Sequence, residues 1–125
     1  MRTRLRVAVI DDDHSVRKAL QRLLRTAQMD AEIYASAAEF LAATTPPEPD
    51  CLVLDVRMPV MTGPELRMRL LATGRRIPIV FITAHVEELV LGLLEPGEKI
   101  DVLRKPFDDE ALLSSIQRSL GNPHA

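Results

Sequence analysis

The chain has 125 residues and a formal net charge of −2, with 46% hydrophobic and 27% charged residues. This is the composition of an ordinary globular protein long enough to bury a core, and the length fits one domain over 1–125. The charge excludes a general case for nucleic-acid or membrane binding, and the single Cys51 excludes an internal disulfide or a multi-cysteine metal site.

In chain order, Leu5 to Ile10 (LRVAVI) reads as a strand rich in β-branched residues and ends in Asp11-Asp12-Asp13. The preceding start is too short in apolar residues for a signal peptide, and no stretch approaches the ~18 apolar residues of a membrane span, so the expected location is the cytoplasm. Val16, Ala19, Leu20, Leu23, Leu24 and Ala27 recur at helical spacing and predict an amphipathic helix. Ala31 to Ala35 is a short second strand. Ser36 and Glu39 have capping-box spacing and open a helix to about Ala43, which TTPPEP breaks.

The third strand, Cys51 to Leu54, is an apolar run bounded by turn signals, as buried strands of parallel sheets are. Asp55 stands where it ends. Thr62-Gly63-Pro64-Glu65 again has capping-box spacing, with a proline in the first turn of a helix ending near Gly74. Ile77 to Ile82 is the fourth strand and leads into Thr83-Ala84-His85. A helix over about 87–94, apolar nearly all round from Leu89 to Leu94, is stopped by Pro96-Gly97. Ile100 to Leu103 is the fifth strand, followed by Lys105-Pro106-Phe107. Asp108 caps a last helix with Leu112, Leu113, Ile116 and Leu120 on its apolar side. Strand and helix alternate five times, which implies βαβ crossovers and a parallel sheet covered on both faces.

Ligand chemistry in open α/β sheets sits at the carboxyl ends of the strands. Those ends offer Asp11, Asp12 and Asp13, then Asp55, Thr83 and Lys105. If strands one, three, four and five are neighbours, these groups converge on one shallow pocket. Clustered carboxylates repel, so at least one pKa should rise unless a cation is present. Mg²⁺ suits such a set, since it favours a few carboxylates plus waters and phosphate. Asp55 can then attack phosphorus as a carboxylate nucleophile, with Lys105 and the Thr83 hydroxyl holding phosphoryl oxygens. Asp13 is read as a residue of a helix N-terminus, where an acid suits the dipole. His14 and His124 are read as surface residues, and His85 as a neighbour of the site.

Residues 5–120 resemble a receiver domain of a two-component response regulator. The likeness is carried by VIDDD with Asp11 and Asp12, LDVRMPVMTG with Asp55, FITAH with Thr83, and LRKPF with Lys105 and Pro106. The resemblance implies a flavodoxin-like (βα)5 fold with a five-stranded parallel sheet of order 2-1-3-4-5. It makes Asp55 the phosphoacceptor, with a histidine kinase as the phosphoryl source. Asp11, Asp12, Asp55 and the Arg57 backbone carbonyl become the metal ligands, and Thr83 the switch hydroxyl. It also implies a cis bond at Lys105-Pro106 and a role for the Arg57 and His85 positions in setting phosphoryl lifetime. The start of the chain is similar to receivers that precede a helix-turn-helix output domain, which these 125 residues do not contain, so no DNA binding is assigned to them.

The sequence departs from the family in two places. Val102 stands where receivers usually carry an aromatic residue on the fifth strand, and valine has no ring to swing and is stiff at χ1. Glu95-Pro96-Gly97-Glu98-Lys99 replaces the usual Ala-Gly ending of the fourth helix, and Pro96 should shorten it. With the fifth strand, that apolar helix is expected to form a partner or homodimer surface. Two rival functions fit parts of the sequence. Asp11, Asp13 and Ser15 match the opening of haloacid dehalogenase-like phosphatases, with Asp11 as nucleophile. A phosphorylation-independent interaction module fits Val102 and the altered helix.

Overall fold

A computed structural model describes residues 4–43, 48–85 and 100–121. Five strands form one sheet: β1 (Arg6–Ile10), β2 (Asp30–Tyr34), β3 (Cys51–Asp55), β4 (Ile79–Thr83) and β5 (Asp101–Arg104). Every pairing is parallel and the order is β2-β1-β3-β4-β5. The helices are α1 (His14–Thr26), α2 (Ala37–Ala42), α3 (Gly63–Ala72) and α4 (Asp109–Gly121). This is the flavodoxin-like arrangement expected from the sequence. The helix predicted over 87–94 lies outside the described residues.

Strand side chains alternate between two faces, and both faces are buried. Ala8, Ile10, Leu52, Leu54 and Phe81 form one core with Ala37 and Phe40 of α2 and Leu66 and Leu70 of α3. Val7, Val9, Cys51, Val53, Val80 and Ile82 form the other with Leu20 and Leu24 of α1 and Leu112 and Ile116 of α4. Two-sided burial explains why the central strands read as continuous apolar runs rather than as alternation. Val102 packs half-buried against the first core, opposite Phe81 on β4. Cys51 is buried in the second, and burial pushes its thiol up to about 11, as expected of a small core hydrophobe.

Local chemistry sets the helix starts. Asp13 is the N-cap of α1, accepting from the Ser15 and Val16 N–H groups. At α3 the capping box is complete: Thr62 accepts from the Glu65 N–H, and Glu65 accepts from the Thr62 N–H. At α2 the Ser36 hydroxyl accepts from the Glu39 N–H, but the Glu39 carboxylate reaches the Ala35 N–H, one residue further out. Asp108 accepts from the Ala111 N–H at the start of α4. Gly74 follows α3 at a φ of +78°, which ends the helix where the sequence placed its end. Strand boundaries shift by a residue or two. β4 begins at Ile79 because Pro78 has no N–H to donate, although its carbonyl still accepts from Leu52.

Candidate functional site

β1, β3, β4 and β5 all point their carboxyl ends to one edge of the sheet, and the candidate residues stand there. Asp55 is the last residue of β3, paired in register with Ile82 of β4. Thr83 is the last residue of β4 and is buried. Asp11 directly follows β1 and is fully buried, whereas its neighbour Asp12 is exposed. Lys105 directly follows β5, and its N–H donates to the Thr83 carbonyl (2.8 Å). The Lys105-Pro106 peptide is cis, as the resemblance implied. Arg57 lies exposed in the loop after β3.

The side chains meet around Lys105. Its Nζ donates to Asp11 Oδ2 (2.8 Å) and to Asp55 Oδ1 (3.3 Å). Asp11 Oδ1 accepts from the Asp13 N–H (2.8 Å). Carboxylate oxygens of Asp11, Asp12 and Asp55 all lie within 4.8 Å of one another. The Thr83 hydroxyl oxygen accepts from the His85 N–H (3.0 Å), so its own proton is available to donate elsewhere.

Electrostatics follow from this crowding. Burial raises the Asp55 pKa to about 7, helped by the Asp11 charge and opposed by Lys105. A rise in at least one carboxyl group is the expectation for clustered carboxylates; here burial is its larger cause and the Asp11 charge the smaller. Burial works against the Lys105 ammonium, but Asp11 and then Asp55 outweigh it, and its pKa is raised. On its outer side Lys105 borders an apolar groove of about 370 Å³ whose lining includes Val16, Leu20, Leu23 and Phe107.

The donor set suits a hard divalent cation. It consists of oxygen atoms only, it carries more negative charge than one lysine neutralises, and exposed Asp12 leaves it open to solvent. Asp11, Asp12 and Asp55 are the side chains that would hold such an ion. Two neighbours escaped the sequence reading. Arg17 donates from Nη1 to the Asp11 carbonyl (2.8 Å), and Gly63 abuts the Asp55 peptide. In the sequence, Arg17 is one of several bases on a solvated helix face, and Gly63 is absorbed by a capping motif.

Residues 7–117 match the family model described as the response regulator receiver domain. The chain is 40% identical over 123 residues to the transcriptional regulatory protein FixJ of Azorhizobium caulinodans, covering 94% of this chain and 56% of that protein. It is 37% identical to nodulation protein W of Bradyrhizobium diazoefficiens, covering 91% of this chain and 50% of that one. It therefore spans about half the length of these curated relatives. Among solved structures, a response regulator receiver protein from Burkholderia phymatum is 41% identical with a TM-score of 0.76, over 94% of this chain and 96% of that chain.

Proposed function

The chain belongs to the response regulator receiver domain family, the signalling domains of two-component systems, and from that premise we propose that Asp55 accepts a phosphoryl group from a partner histidine kinase with Mg²⁺ bound. The observation that carries this is the geometry around one lysine. Asp11, Asp12 and Asp55 converge within 4.8 Å, and Lys105 bridges the first and the last.

Each residue then has a task. An Asp55 carboxylate oxygen attacks phosphorus as the bond from phosphorus to the donor nitrogen breaks, and the electron pair of that bond returns to the donor histidine. Lys105 holds one phosphoryl oxygen as a point charge, and the Thr83 hydroxyl donates to another. Asp11, Asp12, Asp55 and the Arg57 carbonyl would hold Mg²⁺, which when bound would neutralise the charge that gathers there. Apart from this self-directed chemistry the domain turns over no external metabolite.

The output is a population shift between two surface states biased by the Thr83 contact. Val102 stands where receivers usually carry the aromatic residue that reorients with the switch threonine, so a ring-swinging relay from Thr83 does not account for this shift. The relatives' greater length supports an output domain elsewhere in the full protein. Self-association through β5 and the apolar segment 89–94 belongs to the same reading. A glutamate in place of Leu89 then lowers the sedimentation coefficient, and an unchanged value removes this surface.

Intact mass after incubation with Mg²⁺ and acetyl phosphate tests the reading, with wild type and Asp55→Asn side by side. A mass gain in wild type alone is expected. A gain in both moves the nucleophile elsewhere, with Asp11 next to test. Against that phosphatase-like role stands the engagement of both Asp11 carboxylate oxygens, one by Lys105 and one by the Asp13 N–H. No gain in either, with metal bound, identifies a binding module that keeps the pocket without the chemistry.

A further inference from the structure

Every polar atom of the fully buried Asp11 is engaged. Its N–H donates to the Tyr34 carbonyl (3.2 Å). Its carboxylate oxygens accept from the Asp13 N–H and from Lys105 Nζ, both at 2.8 Å. Its carbonyl accepts from Arg17 Nη1, also at 2.8 Å. Arg17 is half-buried in α1, and its backbone N–H donates to the Asp13 carbonyl (3.1 Å). One residue thus ties down the carbonyls on both sides of Asp12, the exposed member of the acidic trio. One guanidinium nitrogen donates to the main chain and a second lies 3.5 Å from His14 Nδ1, so no carboxylate oxygen of the trio is spent on it.

We propose that Arg17 is a positioning residue, which staples the Asp11–Asp13 loop so that Asp11 and Asp12 present their carboxylates to a divalent cation. The proposal rests on the cation-dependent reading above. Two physical effects of Arg17 oppose each other and give it a sharp test. As a positive charge near the site, it repels a second cation. As a donor to the main chain, it removes the disorder that binding must otherwise overcome. If charge dominates, losing Arg17 tightens cation binding; if positioning dominates, losing it weakens binding. The buried carbonyl favours the second, because an unpaired Asp11 carbonyl will seek another partner and turn the peptide that carries Asp12.

The test is calorimetric titration of Mg²⁺ into metal-free protein. Arg17→Met keeps the aliphatic stem and removes the donor. Arg17→Lys restores one donor and the charge. Lys18→Ala removes a neighbouring exposed charge that does not contact Asp11. Arg17→Met should weaken Mg²⁺ affinity about tenfold, the usual scale for a partner of a metal ligand. Arg17→Lys should recover most of the loss, and Lys18→Ala should leave affinity unchanged. Amide chemical shifts of Asp12 and Asp13 in metal-free protein should move in Arg17→Met and return in Arg17→Lys. Unchanged or tighter binding in Arg17→Met overturns the proposal, as does equal weakening in Lys18→Ala. A wild type that binds no Mg²⁺ sinks the functional reading instead. The metal-free amide shifts still decide whether Arg17 holds the loop.

Discussion

Gly63 stands directly against the peptide of Asp55. A Cβ on Gly63 would overlap the Asp55 carbonyl oxygen and come within 3.2 Å of both the Asp55 carbonyl carbon and Leu54 Cγ. The Gly63 N–H also donates to the Val56 carbonyl (3.0 Å). The first residue of α3 is therefore packed against the backbone that carries the proposed phosphoacceptor. Gly63→Ala must displace one or the other. We expect a stability loss of about 1–3 kcal/mol in urea unfolding. Phosphorylation by acetyl phosphate should slow more than in Leu70→Ala, a comparably destabilising change on the same helix that is remote from the Asp55 peptide. Equal rates in the two variants would reduce Gly63 to a purely structural role.

Removing the ammonium of Lys105 strands the buried Asp11 carboxylate. Lys105→Met should lower the stability of the metal-free protein by roughly 2–4 kcal/mol at neutral pH, since breaking a buried pair leaves an uncompensated charge. It should also push the Asp55 pKa above about 7, because Lys105 opposes that rise. Carboxyl-carbon NMR titration reads the shift directly. Saturating Mg²⁺ should restore much of the stability but not the phosphorylation rate.

The pH dependence of the metal-free protein follows from Asp55. Its folded pKa of about 7 lies above the 3.8 of an ordinary aspartate side chain. Between those values the folded state keeps a proton that the unfolded chain has released. The stability contribution is fully present below the lower value and is lost as pH rises through the upper one, with a slope of at most about 1.4 kcal/mol per pH unit. Subtracting an Asp55→Asn titration removes the other groups. The difference curve should fall from pH 4 to 7 and flatten above. Mg²⁺ should abolish it, and a difference that rises with pH would contradict the buried trio.

Val60 takes a φ of +71° while its side chain is wholly exposed (102%). A β-branched residue pays for this conformation and gains no packing in return. Val60→Gly should therefore stabilise the protein by about 1 kcal/mol, after the added entropy of the unfolded glycine is counted. A thermal or urea melt suffices to check it.

The sequence showed most of this fold because its central strands are buried on both faces and its helix starts carry explicit caps. Asp55 and Thr83 were legible for the same reason, since each ends an apolar run whose length fixes where the strand stops; Lys105 follows the half-buried edge strand β5 and was legible only together with Pro106. What stayed hidden depends on approach between distant backbones. Nothing in the spacing of residues 62–65 marks Gly63 as touching Asp55, because a capping box explains that glycine equally well. Arg17 looked like any base on an amphipathic helix, and only the turn before α1 aims it at the Asp11 carbonyl. The strain at Val60 was invisible because valine gives no sign of a left-handed backbone.

The bridge from Lys105 to Asp11 spans 94 positions of the chain. During synthesis, the three carboxylates emerge from the ribosome well before the ammonium that joins two of them. A nascent chain that has formed β1 and β3 carries their mutual repulsion without its internal counter-charge. Emergence of Lys105 from the ribosome is thus the step at which the protein itself can close its acidic pocket, and until then only cations from solution can relieve it.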